Sequence, residues 1–202
     1  MYQTSLKAPA FMHGVVYLTL LIFHTKGDIF MDFIKLVHER YSCRNFSDKP
    51  VSDELISKIL EAGIYAPTAK NVQPVKLWVM KSENALAKIR SCTPFPWMAN
   101  AQAVIAVGGT TEGAFVRPSD IRNFQDVDAS IVATHIMLEI HALGLGSTWV
   151  GYFDTVKAKE LFPDMKDYDL VALFPIGYPA DDAAPSERHA VRKSCEDMVK
   201  FL

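Results

Sequence analysis

The sequence predicts an α+β domain, and three observations carry that reading. Helical and strand-like patterns are mixed along the chain, without the regular β-α-β alternation of a doubly wound sheet. Ala103 to Val107 is a compact apolar run of the kind that forms a buried strand. Val127 to Leu143 is long, helical in pattern, and apolar on more than one face through Ile131, Val132, Ile136, Met137, Leu138, Ile140 and Leu143. Such a helix is wholly buried, in a core or in a subunit interface.

The remaining elements follow in order. Asp32 to Arg40 reads as a short amphipathic helix with Phe33, Ile34, Leu36 and Val37 on one face, and Arg44 to Pro50 as a loop or extended segment. Ser52 is placed to cap the next helix, with Asp53 and Glu54 in its first turn, where the helix dipole favours acids. Leu55, Ile56, Ile59 and Leu60 form its apolar stripe, and Pro67 ends it. Val75 to Lys81 suits a strand and Asn84 to Arg90 a short helix. Ser147 to Phe153 and Leu170 to Ile176 suit two more strands, separated by a helix that Thr155 would cap. Ser194 would cap a last short helix.

At 202 residues, half of them hydrophobic and 22% charged, the chain suits one domain with a substantial core. A formal net charge of -2 leaves no polyanion footprint, which argues against nucleic acid as a partner. Cys43, Cys92 and Cys195 are scattered and odd in number, which suggests neither a disulfide framework nor a zinc site, and fits a cytoplasmic protein. The six histidines form no HExxH, and no metal site is expected. Gly14 to Phe23 is an apolar run too short to span a bilayer, so no membrane association is expected. Residues 1–30 read as an extension, either an over-called start with Met31 as the alternative or a targeting segment, and 31–202 as the functional domain.

Four stretches carry chemistry. In an extended backbone Arg40, Ser42 and Arg44 share a face, and two guanidiniums with a hydroxyl suit an oxyanion as well as they suit water. Ala66 to Pro74 fixes an irregular loop whose Asn71 and Gln73 offer amide donors and acceptors, to a flat heterocycle or simply to solvent. Gly144 to Asp154 resembles a dinucleotide fingerprint, but its glycines close a helix and precede a strand, the reverse of what that fingerprint requires. Gly151 within it either lets backbone approach a ligand or permits a bend in a core strand. The fourth is the basic cluster Arg188-His189 and Arg192-Lys193, a solvated face unless the fold returns it to Arg40.

These stretches, in this order over essentially all of 31–202, resemble the nitroreductase superfamily of flavoproteins. The resemblance implies a central, mostly antiparallel sheet flanked by helices, an intertwined homodimer, and FMN at the subunit interface. It assigns Arg40, Tyr41, Ser42 and Arg44, with Phe46, to an N-terminal phosphate and ribityl site. Pro67, Thr68, Asn71 and Gln73 become a loop contributed by the second subunit. Val150 and Gly151 become the strand passing the flavin ring, and Arg192 and Lys193 a second phosphate-binding group. Some relatives carry a glutamate before that glycine; Val150 stands there in this chain, so their substrate preference does not transfer.

The resemblance also implies an oxidoreductase. NAD(P)H, a transient visitor, would supply reducing equivalents, and a nitroaromatic, quinone or enone would accept them. No side chain is expected to be catalytic, since the cofactor carries the redox chemistry. From a different class, a flavin carrier or scavenging module without nicotinamide turnover would use the same residues.

Overall fold

The computed structural model describes residues 32–202, and the segment read above as an extension lies outside them. Helices α1 (Phe33–Glu39) and α2 (Asp53–Ile64) come first. Ser52 caps α2 as the sequence predicts, its hydroxyl accepting the Leu55 N–H at 3.3 Å. Strand β1 (Val75–Met80), helix α3 (Glu83–Arg90) and strand β2 (Ala103–Gly109) follow. Two short strands, β3 (Val116–Arg117) and β4 (Arg122–Asn123), make a separate hairpin. Then come the long helix α4 (Gln125–Ala142), strand β5 (Gly146–Ser147), helix α5 (Thr155–Leu161), strand β6 (Asp169–Gly177) and helix α6 (Cys195–Met198).

The main sheet runs in the order β1-β2-β6-β5, and every pairing in it is antiparallel. Side chains alternate across a strand, so β2 feeds two cores. Ala103, Ile105 and Val107 pack with Ile59 of α2, Ile136 of α4 and Phe174 of β6. Val104 and Ala106 face the opposite side, with Ile89 of α3, Met98, Ala158 of α5 and Leu173. Both faces of the sheet are therefore covered by helices, which explains why β2 is an unbroken apolar run. The fold is α+β, as the mixed sequence pattern predicts.

Helix α4 is covered in part by the single chain, and two local expectations are corrected. Helix α4 buries one face through Val132, Ala133, Ile136 and Ile140, while Ile131, Met137 and Leu138 stay half-buried in the single chain. The apolar pattern of α4 exceeds what one chain covers. The strand expected over 147–153 shortens to Gly146–Ser147 plus one bridge between Val150 and Leu173. Trp149 turns inward there, its ring edge-on to Phe174 at 5.3 Å, and the chain bends away after Gly151. Helix α5 is capped by Asp154 rather than Thr155: its carboxylate accepts the Lys157 N–H at 2.9 Å, and aspartate is the stronger cap. Ser194 caps α6 as expected.

Candidate functional site

The segment 41–47 lies flush against the end of the sheet. Cys43 N–H donates to the Ser147 carbonyl at 2.9 Å, Ser47 N–H to Tyr178 at 2.9 Å, and Ala180 N–H returns to Asn45 at 3.1 Å. Two glycines that pair across β5 and β6, Gly146 and Gly177, make that contact. A β-carbon on Gly146 would stand 2.7 Å from Cys43 Sγ, and one on Gly177 3.0 Å from the Phe46 Cβ. Neither can carry a side chain without moving the segment. Held this way, Cys43 and Phe46 are buried while Arg40, Ser42 and Arg44 line a surface cavity.

That cavity, of about 260 Å³, is completed by Ser186, Arg188, His189 and Arg192. The C-terminal basic cluster does return to Arg40. The lining contains four arginines and no acidic residue, and among the described residues none of these arginines forms an ion pair. Burial, and then the charge of Arg192, pull the Arg40 guanidinium below its ordinary value. Like charges thus face each other around a polar hollow. Such a donor set suits a phosphate.

Tyr41 stands beside this cavity, its ring edge-on to His189 at 6.4 Å; burial and the neighbouring Cys43 push its phenol up to about 12, so it stays neutral. Lys193 is exposed and outside the lining, which leaves Arg192 as the cation that the tail contributes with Arg188. Sequence reasoning marked Arg188 and His189 only as a basic cluster, and Ser186 gave no signal.

The loop from Pro67 to Gln73 is a second, separate feature. Thr68 and Gln73 border an apolar groove along β1 that shares no residue with the arginine cavity. Lys70, Asn71 and Gln73 adopt left-handed backbone with φ of 52°, 55° and 57°. Such geometry costs a non-glycine residue about 1 kcal/mol or more. Bonds within the loop offset this: Gln73 N–H donates to Thr68 Oγ1 at 3.0 Å, and Gln73 Nε2 to Asn71 Oδ1 at 3.0 Å. Within the pair this leaves Asn71 Nδ2 and Gln73 Oε1 without a hydrogen-bond partner among the described residues. A heterocycle edge that alternates acceptor and donor is its complement.

At the third feature, Val150 spends both backbone groups on Leu173, donating at 3.0 Å and accepting at 2.9 Å. Gly151 and Tyr152 follow, both exposed residues. Among the described residues, their N–H groups donate to no protein acceptor. A β-carbon on Gly151 would meet nothing nearer than Trp149 at 3.8 Å, and its φ is not left-handed. The fold does not need glycine at this position.

An α+β fold with an antiparallel sheet and an arginine-lined cavity at its end defines the structural class of the chain. The Nitroreductase family profile matches residues 37–178, and the chain belongs to that family. It is 31% identical over 156 residues to a Methanothermobacter thermautotrophicus protein named for NADH dehydrogenase and NAD(P)H nitroreductase activity, covering 75% of this chain and 80% of that one. A crystal structure of a nitroreductase family protein from Clostridium difficile 630 is 32% identical and superposes with a TM-score of 0.77, over 85% of this chain and 98% of that one. The same fold, at 24% identity and a TM-score of 0.75, occurs in an Exiguobacterium sibiricum protein crystallised in complex with FMN, over 85% of this chain and 98% of that one.

Proposed function

We propose that this chain is an FMN-dependent oxidoreductase, working as a cytoplasmic homodimer, that passes reducing equivalents from NAD(P)H to a small oxidant such as a nitroaromatic, quinone or enone. The observation that carries the reading is the cavity of unneutralised arginines, whose donors fit the phosphate of FMN. When bound, FMN supplies the two-electron chemistry between donor and acceptor. Arg40, Ser42, Arg44 and Arg192, joined by Arg188, hold its phosphate end, where charge-assisted bonds are strongest. Asn71 and Gln73, with Thr68 behind them, read the polar edge of the ring. Gly151 keeps one face of the site free of side chains, and the N–H groups of Gly151 and Tyr152 are donors for negative charge that develops there.

The homodimer is supported by surfaces that one chain leaves apolar. β1 is an edge strand, and the groove beside it is lined by Leu60, Ile64, Val79 and Val132. Phe201 and Leu202 project from the C-terminus, and α4 leaves Ile131 and Met137 half-buried. The separation of the amide loop from the arginine cavity accords with each loop serving a partner's cofactor. Cys43 and Cys92 are buried free thiols, which suits a reducing compartment.

The test is spectroscopic. Purified protein should be yellow, and either NADH or NADPH should bleach it anaerobically, with colour returning on addition of menadione or nitrofurazone. Colourless protein that takes up no FMN overturns the cofactor; FMN-loaded protein that neither nicotinamide bleaches is a carrier and not a reductase.

A further inference from the structure

We propose that Asp128 is a positioning residue: from inside helix α4 it fixes the loop 68–73 in the shape that presents Asn71 and Gln73 to the flavin. The proposal rests on the FMN reading above and adds to it a residue that touches neither cofactor nor substrate.

Asp128 stands in the first turn of α4 and is 1% exposed. Its Oδ1 accepts the N–H of Ala69 at 2.8 Å, across 59 residues of sequence. Ala69 immediately precedes the left-handed run at Lys70 and Asn71. The other bonds of the loop close it on itself: Asn71 N–H to Thr68, Val72 N–H to Ala69, Gln73 N–H to Thr68 Oγ1 and Gln73 Nε2 to Asn71. Among the described residues, Asp128 makes the one hydrogen bond that reaches the loop from outside. The internal bonds set the shape of the amide pair; Asp128, together with the Lys70 ammonium over the Phe115 ring at 4.8 Å, ties that shape to the body of the fold.

The choice of aspartate is hard to explain by packing. Asp128 Oδ2 is buried with no hydrogen-bond partner, an arrangement that disfavours a carboxylate in a core. The α4 N-terminus moderates the charge but leaves that oxygen unpaired. Its Oδ1 offsets part of that cost by satisfying the Ala69 N–H, while Oδ2 gains nothing in return. A short, rigid acceptor that two torsions hold in place suits the fixing of a strained loop.

The proposal is tested on FMN-loaded, full-length protein with three variants: Asp128→Ala, Asp128→Asn and Ala69→Pro. Asp128→Asn keeps an acceptor oxygen for the Ala69 N–H. Ala69→Pro removes that N–H at the first residue of a short 3-10 turn, where the backbone itself accepts proline, and its Cδ takes the hydrogen's place against Asp128 Oδ1, so the contact is both broken and pushed apart. The FMN dissociation constant and the visible bands of bound FMN are measured for each, together with the melting temperature of the apoprotein.

Asp128→Ala and Ala69→Pro are expected to weaken FMN about tenfold and to shift its visible bands, as loss of one positioning hydrogen bond implies. Asp128→Asn is expected to restore affinity and spectrum to within about twofold of the parent. If Asp128→Ala does not fold, Ala69→Pro decides the matter. Parent-like affinity and bands in Ala69→Pro overturn the role of Asp128 and leave the flavin reading standing. Equal losses of affinity in Asp128→Ala and Asp128→Asn, in step with equal losses in melting temperature, also overturn it. A parent protein that binds no FMN overturns both.

Discussion

Cys43 and Gly146 are packed so closely that no β-carbon fits between them: one built on Gly146 would stand 2.7 Å from the Cys43 sulfur and 2.9 Å from its Cβ. That contact lays the segment carrying Arg40, Ser42 and Arg44 against the sheet. Gly146→Ala should therefore cost about 1–3 kcal/mol, the usual range for overpacking, read from urea midpoints. Cys43→Ala in the same chain should recover part of it. Strictly additive midpoints would show that the two residues do not share the space.

The arginine cavity separates two neighbours in sequence. Arg192→Ala and Arg40→Ala should each weaken FMN by about ten- to a hundredfold, as loss of a charge-assisted bond does, and should flatten its dependence on salt. Lys193→Ala, outside the lining, should change FMN affinity by no more than about twofold. Isothermal titration at two salt concentrations decides. Equal losses at 192 and 193 would place the phosphate elsewhere.

Gly151 offers a clean division between fold and function. Since a β-carbon there meets only Trp149 at 3.8 Å, Gly151→Val should leave apoprotein stability within about 0.5 kcal/mol of the parent. FMN retention on gel filtration should nevertheless fall. Retention equal to the parent would mean that no ring passes this edge.

Two titrating groups at the end of α4 give opposite pH slopes. Burial, and then the charge of Arg40, lower His141 from 6.5, so the folded chain binds its proton more weakly than the unfolded one. That contribution to stability is present above pH 6.5 and is lost as pH falls toward the folded value. Burial raises Glu139 from 4.5, outweighing the opposing charge of Lys58. Its contribution is present below pH 4.5 and is lost as pH rises through the folded value. Urea midpoints of His141→Gln should gain on the parent as pH drops below 6.5; those of Glu139→Gln should gain as pH climbs above 4.5. Parallel pH profiles would remove both assignments.

Much of the fold is legible in the sequence because local chemistry and tertiary packing agree there. Ala103 to Val107 reads as a buried strand and is one, since both faces of β2 are covered. Ser52 and Ser194 read as caps and are caps. The segment after Ser147 misleads because β-branched and aromatic residues favour a strand, while the inward turn of Trp149 onto Phe174 is a tertiary effect. At the site, Arg40, Ser42 and Arg44 are visible from their alternation alone. Their meeting with Arg188 and His189 depends on the path of the chain after β6, which no local pattern encodes. The role of Gly146 is hidden for the same reason: the sequence holds both glycine and cysteine but not their contact. Asp128 reads as an ordinary first-turn acid until Ala69 is found against it.

The crowding of guanidiniums around Arg40 has a biological consequence beyond binding. The guanidiniums repel one another: burial first, and then the charge of Arg192, hold Arg40 below its ordinary value. A phosphate that neutralises them favours the folded chain over the unfolded one, by about 2.7 kcal/mol when FMN stands at a hundred times its dissociation constant. On the FMN reading proposed above, vitamin supply would then bear on how long the polypeptide survives as well as on how fast it works. A cell starved of riboflavin would clear this protein by proteolysis, and an expression host supplemented with the vitamin would accumulate more of it.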